Sequence, residues 1–335
     1  MSDVKRIVFV GCGSISNAWF KPMQQMPELQ VVGLVDIRRE AAEQQATTYG
    51  LKDALVGTDL EAMLAQTQPD AVFNCTIPAA HMPVTLTALA HGCHVFGEKP
   101  MADSLENARR MIAAAQQAGR ICAVIQNARY SASIRRLRHL MQSGVLGRIS
   151  TLHHDSFGDP HFGGFRERME HPLILDMAIH PFDQARFLSG ANALAVTCKE
   201  WNPVGSWYDH AASAVAVFEM DNDIVFSYRA SWCAKGLGGG SWRIIGENGT
   251  AIWDGGENIH CQIEDKVGTP KLDVQVPPFD AGTQVGGHAG LLVDFLHAMQ
   301  TGQPPETVGT DNIHSLAMVF GAIAAAEQHT WVPVV

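Results

Sequence analysis

An apolar run, Arg6–Val10, stops at Gly11-Cys12-Gly13 and passes through Ser14-Ile15-Ser16 into a helix-like stretch. No other feature of the chain constrains its fold as much. Gly11 permits a tight turn out of a strand, and Gly13 leaves the backbone bare where a ligand has to come close. The helix behind it turns unpaired N–H groups and the positive end of its dipole toward the same spot, which suits a phosphate. Gly11, Gly13, Ser14 and Ile15 therefore read as a pyrophosphate loop. A third glycine is replaced by Ser16, which adds a Cβ and a hydroxyl at the helix start.

The rhythm after this turn extends the reading. Apolar runs at Val31–Asp36, Ala71–Cys75, His94–Phe96 and Ile121–Ile125 alternate with helical periodicity at Arg38–Tyr49, Asp59–Ala65, His81–His91 and Ser104–Gly119. Thr58 is the expected cap of the second of these helices; Ser104 and Gly119 bracket the last. Strand and helix alternating at this spacing predict an α/β fold, a Rossmann doubly wound parallel sheet over residues 1–126. After residue 127 the pattern changes. Helices are expected at Ser131–Gln142 and Pro172–Leu188, then neighbouring strands at Ala193–Trp201, Ala211–Met220, Ile224–Ser231, Ser241–Ile245 and Thr250–Trp253. Asp221-Asn222-Asp223 is a turn between two of them. This predicts a second α+β domain, 127–335, with a large, mostly antiparallel open sheet and helices on one side. Glu264–Asp280, with three prolines, reads as loop, and helices return at His288–Gln300 and Asn312–His329.

Composition excludes several classes. With 24 Lys and Arg against 34 Asp and Glu, the formal charge is −10, which argues against nucleic acid as a partner, since phosphate contacts need clustered cations. The apolar runs are too short or too interrupted for a membrane span. The seven cysteines form no CxxC pair, and Cys12, Cys75, Cys93 and Cys122, in or beside apolar runs, read as reduced core residues of a cytoplasmic protein, while the start is expected to carry no signal peptide.

Four motifs carry chemistry. Asp36 ends the second strand, where a carboxylate accepts from both ribose hydroxyls of an adenosine and repels a 2′-phosphate. NAD is therefore the expected cofactor. Arg38 and Arg39 follow at once and can pair with that phosphate, which keeps NADP as the alternative. Thr76 and Pro78, after Asn74-Cys75, stand where loops at strand ends line the ligand crevice. His81 reads either as a cofactor contact or as a cap of the next helix. Gly97-Glu98-Lys99-Pro100 delivers Glu98 and Lys99 to the crevice rim, as a proton-moving lysine or as an ordinary surface pair. Finally, Asp176 and His180 are four residues apart and share a helix face, with Asp183 three further on; Pro181 is expected to kink or break that helix.

In this order the motifs resemble the glucose-fructose oxidoreductase, inositol dehydrogenase and rhizopine-catabolism (Gfo/Idh/MocA) family. The resemblance spans nearly the whole chain, through the Gly11 loop, Asp36, Thr76-Ile77-Pro78 with His81, Glu98-Lys99-Pro100, Asn127-Ala128-Arg129-Tyr130, Gly144–Gly147 and Asp176–His180–Asp183. It implies NAD(P)-dependent oxidation or reduction of a secondary alcohol of a sugar, cyclitol or related polyol. Lys99, Asp176 and His180 would be the catalytic trio, Pro100 would follow a cis peptide, and the open sheet would form a homodimer or homotetramer. Arg129, Asp155 and His180 are the expected contacts to a small-molecule polyhydroxy substrate, and the polar crevice suggests a neutral one. The segment from His153 to His171, rich in His and charge, faces the substrate side without a readable specificity.

Three rivals stand beside this reading. The same trio serves an NAD-dependent glycosidase or lyase that works by transient oxidation and elimination. A metal-dependent hydrolase would draw on the many histidines, but no metal-binding spacing is present and no metal is expected. A non-enzymatic NAD-binding sensor would leave the Asp176–His180 pair without purpose.

Overall fold

The computed structural model describes residues 4–236, 238–264, 272–276 and 286–335. The first apolar run forms β1 (Lys5–Val10), with Ile7, Val8 and Phe9 fully buried. Around it the βα alternation runs α1 (Ser16–Met23), β2 (Leu29–Val35), α2 (Arg39–Thr48), β3 (Leu55–Gly57), α3 (Leu60–Thr67), β4 (Ala71–Asn74), α4 (Pro78–Ala90), β5 (His94–Gly97), α5 (Leu105–Ala118) and β6 (Cys122–Val124). The six strands make one parallel sheet in the order β3-β2-β1-β4-β5-β6. The order reverses direction between β1 and β4, and at such a switch point the crevice for a ligand opens beyond the strands' carboxyl ends.

Local chemistry sets the helix ends. Ser104 accepts from Asn107 N at 3.2 Å and Gly119 closes α5 in the left-handed region. For α3 the cap is Asp59, accepting from Ala62 N at 3.1 Å, one residue beyond the expected Thr58; both types cap well, and the longer acidic side chain makes the bond here. The three-residue β3 is too short to register as a periodic run.

The second half continues with α6 (Ala132–Gln142), β7 (Ile149–Phe157), α7 (Phe165–Arg168), α8 (Ile179–Ser189), β8 (Ala193–Trp201), β9 (Ser213–Met220), β10 (Ile224–Ser231), β11 (Gly239–Gly246), β12 (Gly249–Trp253), β13 (Ile259–Ile263), β14 (Leu272–Asp273), α9 (Gly287–Thr301), α10 (Gly309–Gln328) and β15 (Val332–Pro333). Nine strands form one sheet, β14-β13-β12-β11-β7-β10-β9-β8-β15, antiparallel except where β7 and β10 run parallel. Of the expected loop Glu264–Asp280, residues 265–271 and 277–280 lie outside the described residues; Leu272–Asp273 pairs with β13.

The strand β7 is absent from the sequence reading. Its inward positions are Leu152 and His154, so the expected apolar alternation is interrupted by an imidazole. His154 lies 4.5 Å from the Trp242 ring and 6.0 Å from Tyr228, and burial pushes its pKa down to about 4. It packs as a neutral aromatic ring. On the same face Phe182 of α8 meets Phe218, Phe226 and Tyr228 at 4.8–6.1 Å. The helices therefore cover the face carrying Leu152, His154, Phe226 and Tyr228, and alternation sends His153, Asp155, Ser227 and Arg229 to the other.

The chain forms two compact units, Met1–Tyr130 with Gly282–Ile313, and Ser131–Ala281 with His314–Val335. Sequence reading draws one boundary, at 126/127. The aromatic core explains why the later segment groups with the first unit: Phe295 of α9 stacks on Phe96 at 4.1 Å and lies 6.3 Å from Trp19. No helix among the described residues is long and apolar enough to cross a membrane.

Candidate functional site

In the first unit the carboxyl ends of β1, β2, β4 and β5 bring the expected cofactor residues together. Gly11 has φ +88°, and a Cβ there would stand 2.6 Å from the Cys75 carbonyl carbon and 2.7 Å from Thr76 N. Only glycine lets the β1 turn lie against the β4 loop. A Cβ on Gly13 would meet nothing within 4 Å, so this turn is open on the side where a ligand approaches. Ser16, at the place of the third glycine, is fully buried and donates to Gly13 O at 2.7 Å. Its hydroxyl closes the helix start on itself and leaves the loop intact. Ser14 and Ile15 are exposed beside it.

Asp36 is oriented by backbone. Its Oδ2 accepts from Cys12 N at 2.8 Å and its Oδ1 from Arg38 N at 2.9 Å. Each oxygen keeps a lone pair for a further donor. Arg39 pairs along its own helix with Glu43 at 2.9 Å, while Arg38 is exposed at the N-cap of α2. Burial, then the Asp36 charge, holds the Cys12 thiol up at about 12, so it stays neutral. An open glycine turn beside a fixed carboxylate fits a dinucleotide: the turn would hold the pyrophosphate and Asp36 the adenosine ribose.

The β4 loop is tied by Asn74, to which the sequence alone assigns no role. Its Oδ1 accepts from the Thr76 hydroxyl at 2.6 Å, its amide donates to His81 O at 3.1 Å, and its carbonyl accepts from Glu98 N at 2.9 Å. His81 is 1% exposed, and its ring nitrogens lie 2.8 Å from Pro100 O and 3.0 Å from Thr76 O. Burial lowers its pKa against the pull of those carbonyls. The ring thus clasps the Thr76 loop to the Lys99–Pro100 loop from within. Pro78 opens α4 as its first residue, where its missing N–H costs nothing.

Glu98 is buried, and its Oε1 accepts the Trp19 indole N–H at 2.7 Å. Trp19 lies on α1, so one carboxylate links the helix behind the glycine turn to the strand end that carries Lys99. Lys99 itself is half-buried, and the Lys99–Pro100 peptide is cis, as the resemblance implies. Arg129 sits in a 3-10 turn, Asn127–Tyr130, with its side chain 5% exposed; it donates to Glu306 O and Asp311 Oδ2, both at 3.0 Å. Those partners fasten the turn to residues 306–311 of the same unit.

In the second unit Asp176 lies in a π-helical turn, Leu173–Ala178, that runs directly into α8. His180 is the second residue of α8 and Pro181 the third. The expected break does not occur at Pro181. Pro181 lies near the start of α8, which continues through it to Ser189, and the change from π to α geometry comes earlier, after Ala178. Asp183 is buried and accepts from Ser315 at 2.8 Å, inside a network with Arg186.

Arg166, on α7, is not singled out by the sequence and touches the candidate residue Asp176. Its Nε donates to Asp176 Oδ2 at 2.8 Å. The sequence places it in the charged His153–His171 segment on the substrate side, but nothing there distinguishes it from its charged neighbours.

Asp155 stands apart. Its two oxygens accept from Arg229 Nε and Nη2 at 2.7 and 2.6 Å. With His153, Ser227, Ser241 and Arg243 it borders a cavity of about 470 Å³ on the open sheet face. That face is opposite the one covered by α8, which carries His180. All seven cysteines are free, and no group of three or more His, Cys, Asp or Glu among the described residues converges as metal ligands would.

Comparison with known proteins accords with this geometry. Residues 5–126 match the model of an oxidoreductase family with an NAD-binding Rossmann fold, and residues 134–252 match the GFO/IDH/MocA C-terminal domain. An uncharacterised protein of Sinorhizobium fredii, y4oX, is 30% identical over 95% of this chain and 92% of its own. The 1,5-anhydro-D-fructose reductase of Ensifer adhaerens is 26% identical over 95% of both. A crystal structure of an oxidoreductase from Agrobacterium radiobacter, in complex with NAD+, L-tartaric acid and magnesium, shares the fold with a TM-score of 0.88 over 98% of both chains at 18% identity. The chain belongs to the Gfo/Idh/MocA family of NAD-binding oxidoreductases.

Proposed function

We propose that the protein transfers hydride between NAD and a secondary alcohol of a sugar, cyclitol or related polyol. What carries the reading is one chain holding both an open glycine turn faced by the backbone-fixed Asp36 carboxylate and a half-buried acid and imidazole, Asp176 and His180, on the second unit. Relatives support the substrate class: a 1,5-anhydro-D-fructose reductase, a D-glucoside 3-dehydrogenase and an inositol 2-dehydrogenase.

The nicotinamide, when bound, supplies the hydride acceptor or donor. His180 takes the proton of the substrate hydroxyl, and Asp176 holds the imidazole in its working orientation. Lys99 brings an ammonium to the alkoxide that develops. Asp36 favours NAD over NADP. The cofactor contacts are assigned to Gly11, Gly13, Ser14, Ile15, Asp36, Arg38, Thr76, Pro78, Glu98 and Lys99, with His81 positioning the loop from inside. Arg129 and Asp155 are left out of the substrate contacts, because their own partners occupy them. We further propose a cytoplasmic homodimer or homotetramer that pairs through the open sheet face.

The test is the near-ultraviolet absorbance of reduced nicotinamide. Protein with NAD, and separately NADP, is set against sugars, inositols and glycosides. Reduction of NAD by one free polyol is expected, and roughly 10²–10⁴-fold slower turnover in His180→Ala and in Lys99→Ala, with NADH affinity kept in His180→Ala. Aglycone release without net NADH would replace this reading with the elimination route.

A further inference from the structure

Arg166 is held on three sides. Its Nε donates to Asp176 Oδ2 at 2.8 Å, and its guanidinium lies over the Phe162 and Phe165 rings at 5.4 and 5.0 Å. The side chain is 35% exposed. Among the described residues no protein group accepts a hydrogen bond from its two terminal amino groups. The rings cover the guanidinium plane and the Asp176 bond fixes its rotation. What remains open is the Nη1–Nη2 edge, two parallel donors spaced to meet both oxygens of a carboxylate.

The loop that presents this edge is built to stay in place. Pro160 O accepts from both the Tyr208 hydroxyl, at 2.7 Å, and the Trp207 indole, at 3.1 Å. His161 stacks on the Trp207 ring at 3.7 Å, and Phe162 packs edge-on against Trp232 at 5.1 Å. Two glycines with positive φ, Gly163 and Gly164, make the turn, and Gly163 N donates to Glu167 Oε1 at 3.0 Å. Lys235, over the Trp207 ring at 5.8 Å, adds a second cation to the same cluster. A donor edge held this firmly loses little entropy when it binds, which favours recognition over mere solvation.

We propose that Arg166 is a specificity-determining residue and that the polyhydroxy substrate is an acid whose carboxylate docks on this edge. A hydroxyl would use one donor and leave the other facing water; a carboxylate uses both. A single guanidinium would then lie between two anions, Asp176 and the substrate. The polar crevice residues of the sequence suggest a neutral substrate; the Arg166 edge, in the charged His153–His171 segment, points instead to an acid.

This inference rests on the hydride-transfer reading, and its test keeps the two apart by measuring binding without turnover. NADH-loaded protein is titrated calorimetrically with matched pairs: D-glucuronate against D-glucose, D-galacturonate against D-galactose, D-gluconate against D-glucitol. The acid of at least one pair is expected to bind about tenfold or more tightly than its neutral partner. Arg166→Gln should erase that preference with NADH affinity unchanged. Arg166→Lys should keep part of it, since the charge survives and the fork does not, and it covers the case in which Arg166→Gln unsettles the loop. Neutral members binding as well as acids throughout would overturn the proposal. So would an equal loss for both members in Arg166→Gln, or a loss of NADH affinity, which would assign the edge to the cofactor's pyrophosphate. Arg166-dependent acid binding with no hydride transferred from any bound acid would sink the reaction instead and leave the carboxylate site standing.

Discussion

The two units hold their chemical groups by different means. In the first, backbone does most of the work: Asp36 is fixed by two main-chain N–H groups, the glycine turn by a close backbone approach, and the His81 ring lies between two main-chain carbonyls. In the second, side chains hold side chains. Arg166 meets Asp176, His171 lies 2.6 Å from Glu200, and Ser315 bonds Asp183. Backbone constraints leave a trace in sequence, because they demand glycine, proline or a small polar residue at a fixed offset from a strand. Side-chain pairs between distant segments leave none. Backbone-held positions are therefore legible as motifs, and the side-chain pairings between segments are not.

The strongest way to break this comparison lies in the glycine turn. Gly11→Ala places a Cβ against the β4 backbone at 2.6 Å in a left-handed conformation. Backbone strain and overpacking together should cost about 2 to 5 kcal/mol, with a lower melting temperature and no measurable NADH binding. Gly13→Ala meets nothing and should leave the melting temperature alone while weakening NADH severalfold. Calorimetric melting and NADH titration of both variants separate the roles. Equal destabilisation by both would mean that the turn is structural throughout.

A smaller effect sharpens the other half. His154 is buried and neutral, with its pKa near 4, mainly through desolvation, against the opposing influence of Asp155. The unfolded chain protonates this histidine near 6.5, the folded one only near 4. Stability is therefore unaffected above pH 6.5 and falls as pH drops between those values, by about 3 kcal/mol in full. His154→Phe should remove that part of the acid sensitivity, seen as a smaller fall in urea-unfolding free energy between pH 7 and pH 4.5. An unchanged pH slope would show that His154 charges inside the fold.

The same residue shows where sequence reading ends. The alternation at β8 and β10 follows their apolar side chains, and those bounds are read to the residue. At β7 an inward histidine disguises the strand, and with it the face on which Asp155 lies. Arg129 likewise is expected to contact substrate, and the sequence gives no sign that Asp311, far along the chain, meets its charge. The position of Asp36 is legible because it depends only on following β2 beside the β1 turn. Arg166 depends on a loop folding back onto Asp176, and that is a tertiary fact.

The smallest expected effect concerns Asp155, and it decides what the open face is for. The Asp155–Arg229 pair is bidentate, but the Arg229 side chain is 60% exposed, so its contribution to monomer stability should be about 1 kcal/mol or less. Strand alternation puts the carboxylate on the face away from α8, and its two oxygens are already matched to one guanidinium. Asp155→Asn should therefore leave kcat/KM within roughly twofold, a change on the order of RT. If copies of the chain pair through this face, the variant alters one row of polar contacts in the interface, and sedimentation should report a shift toward smaller species at low concentration. Those readouts move independently. A fall in kcat/KM at unchanged mass would return Asp155 to the substrate and require the sheet face to reach it; a fall in mass at unchanged kcat/KM would place the residue wholly in assembly.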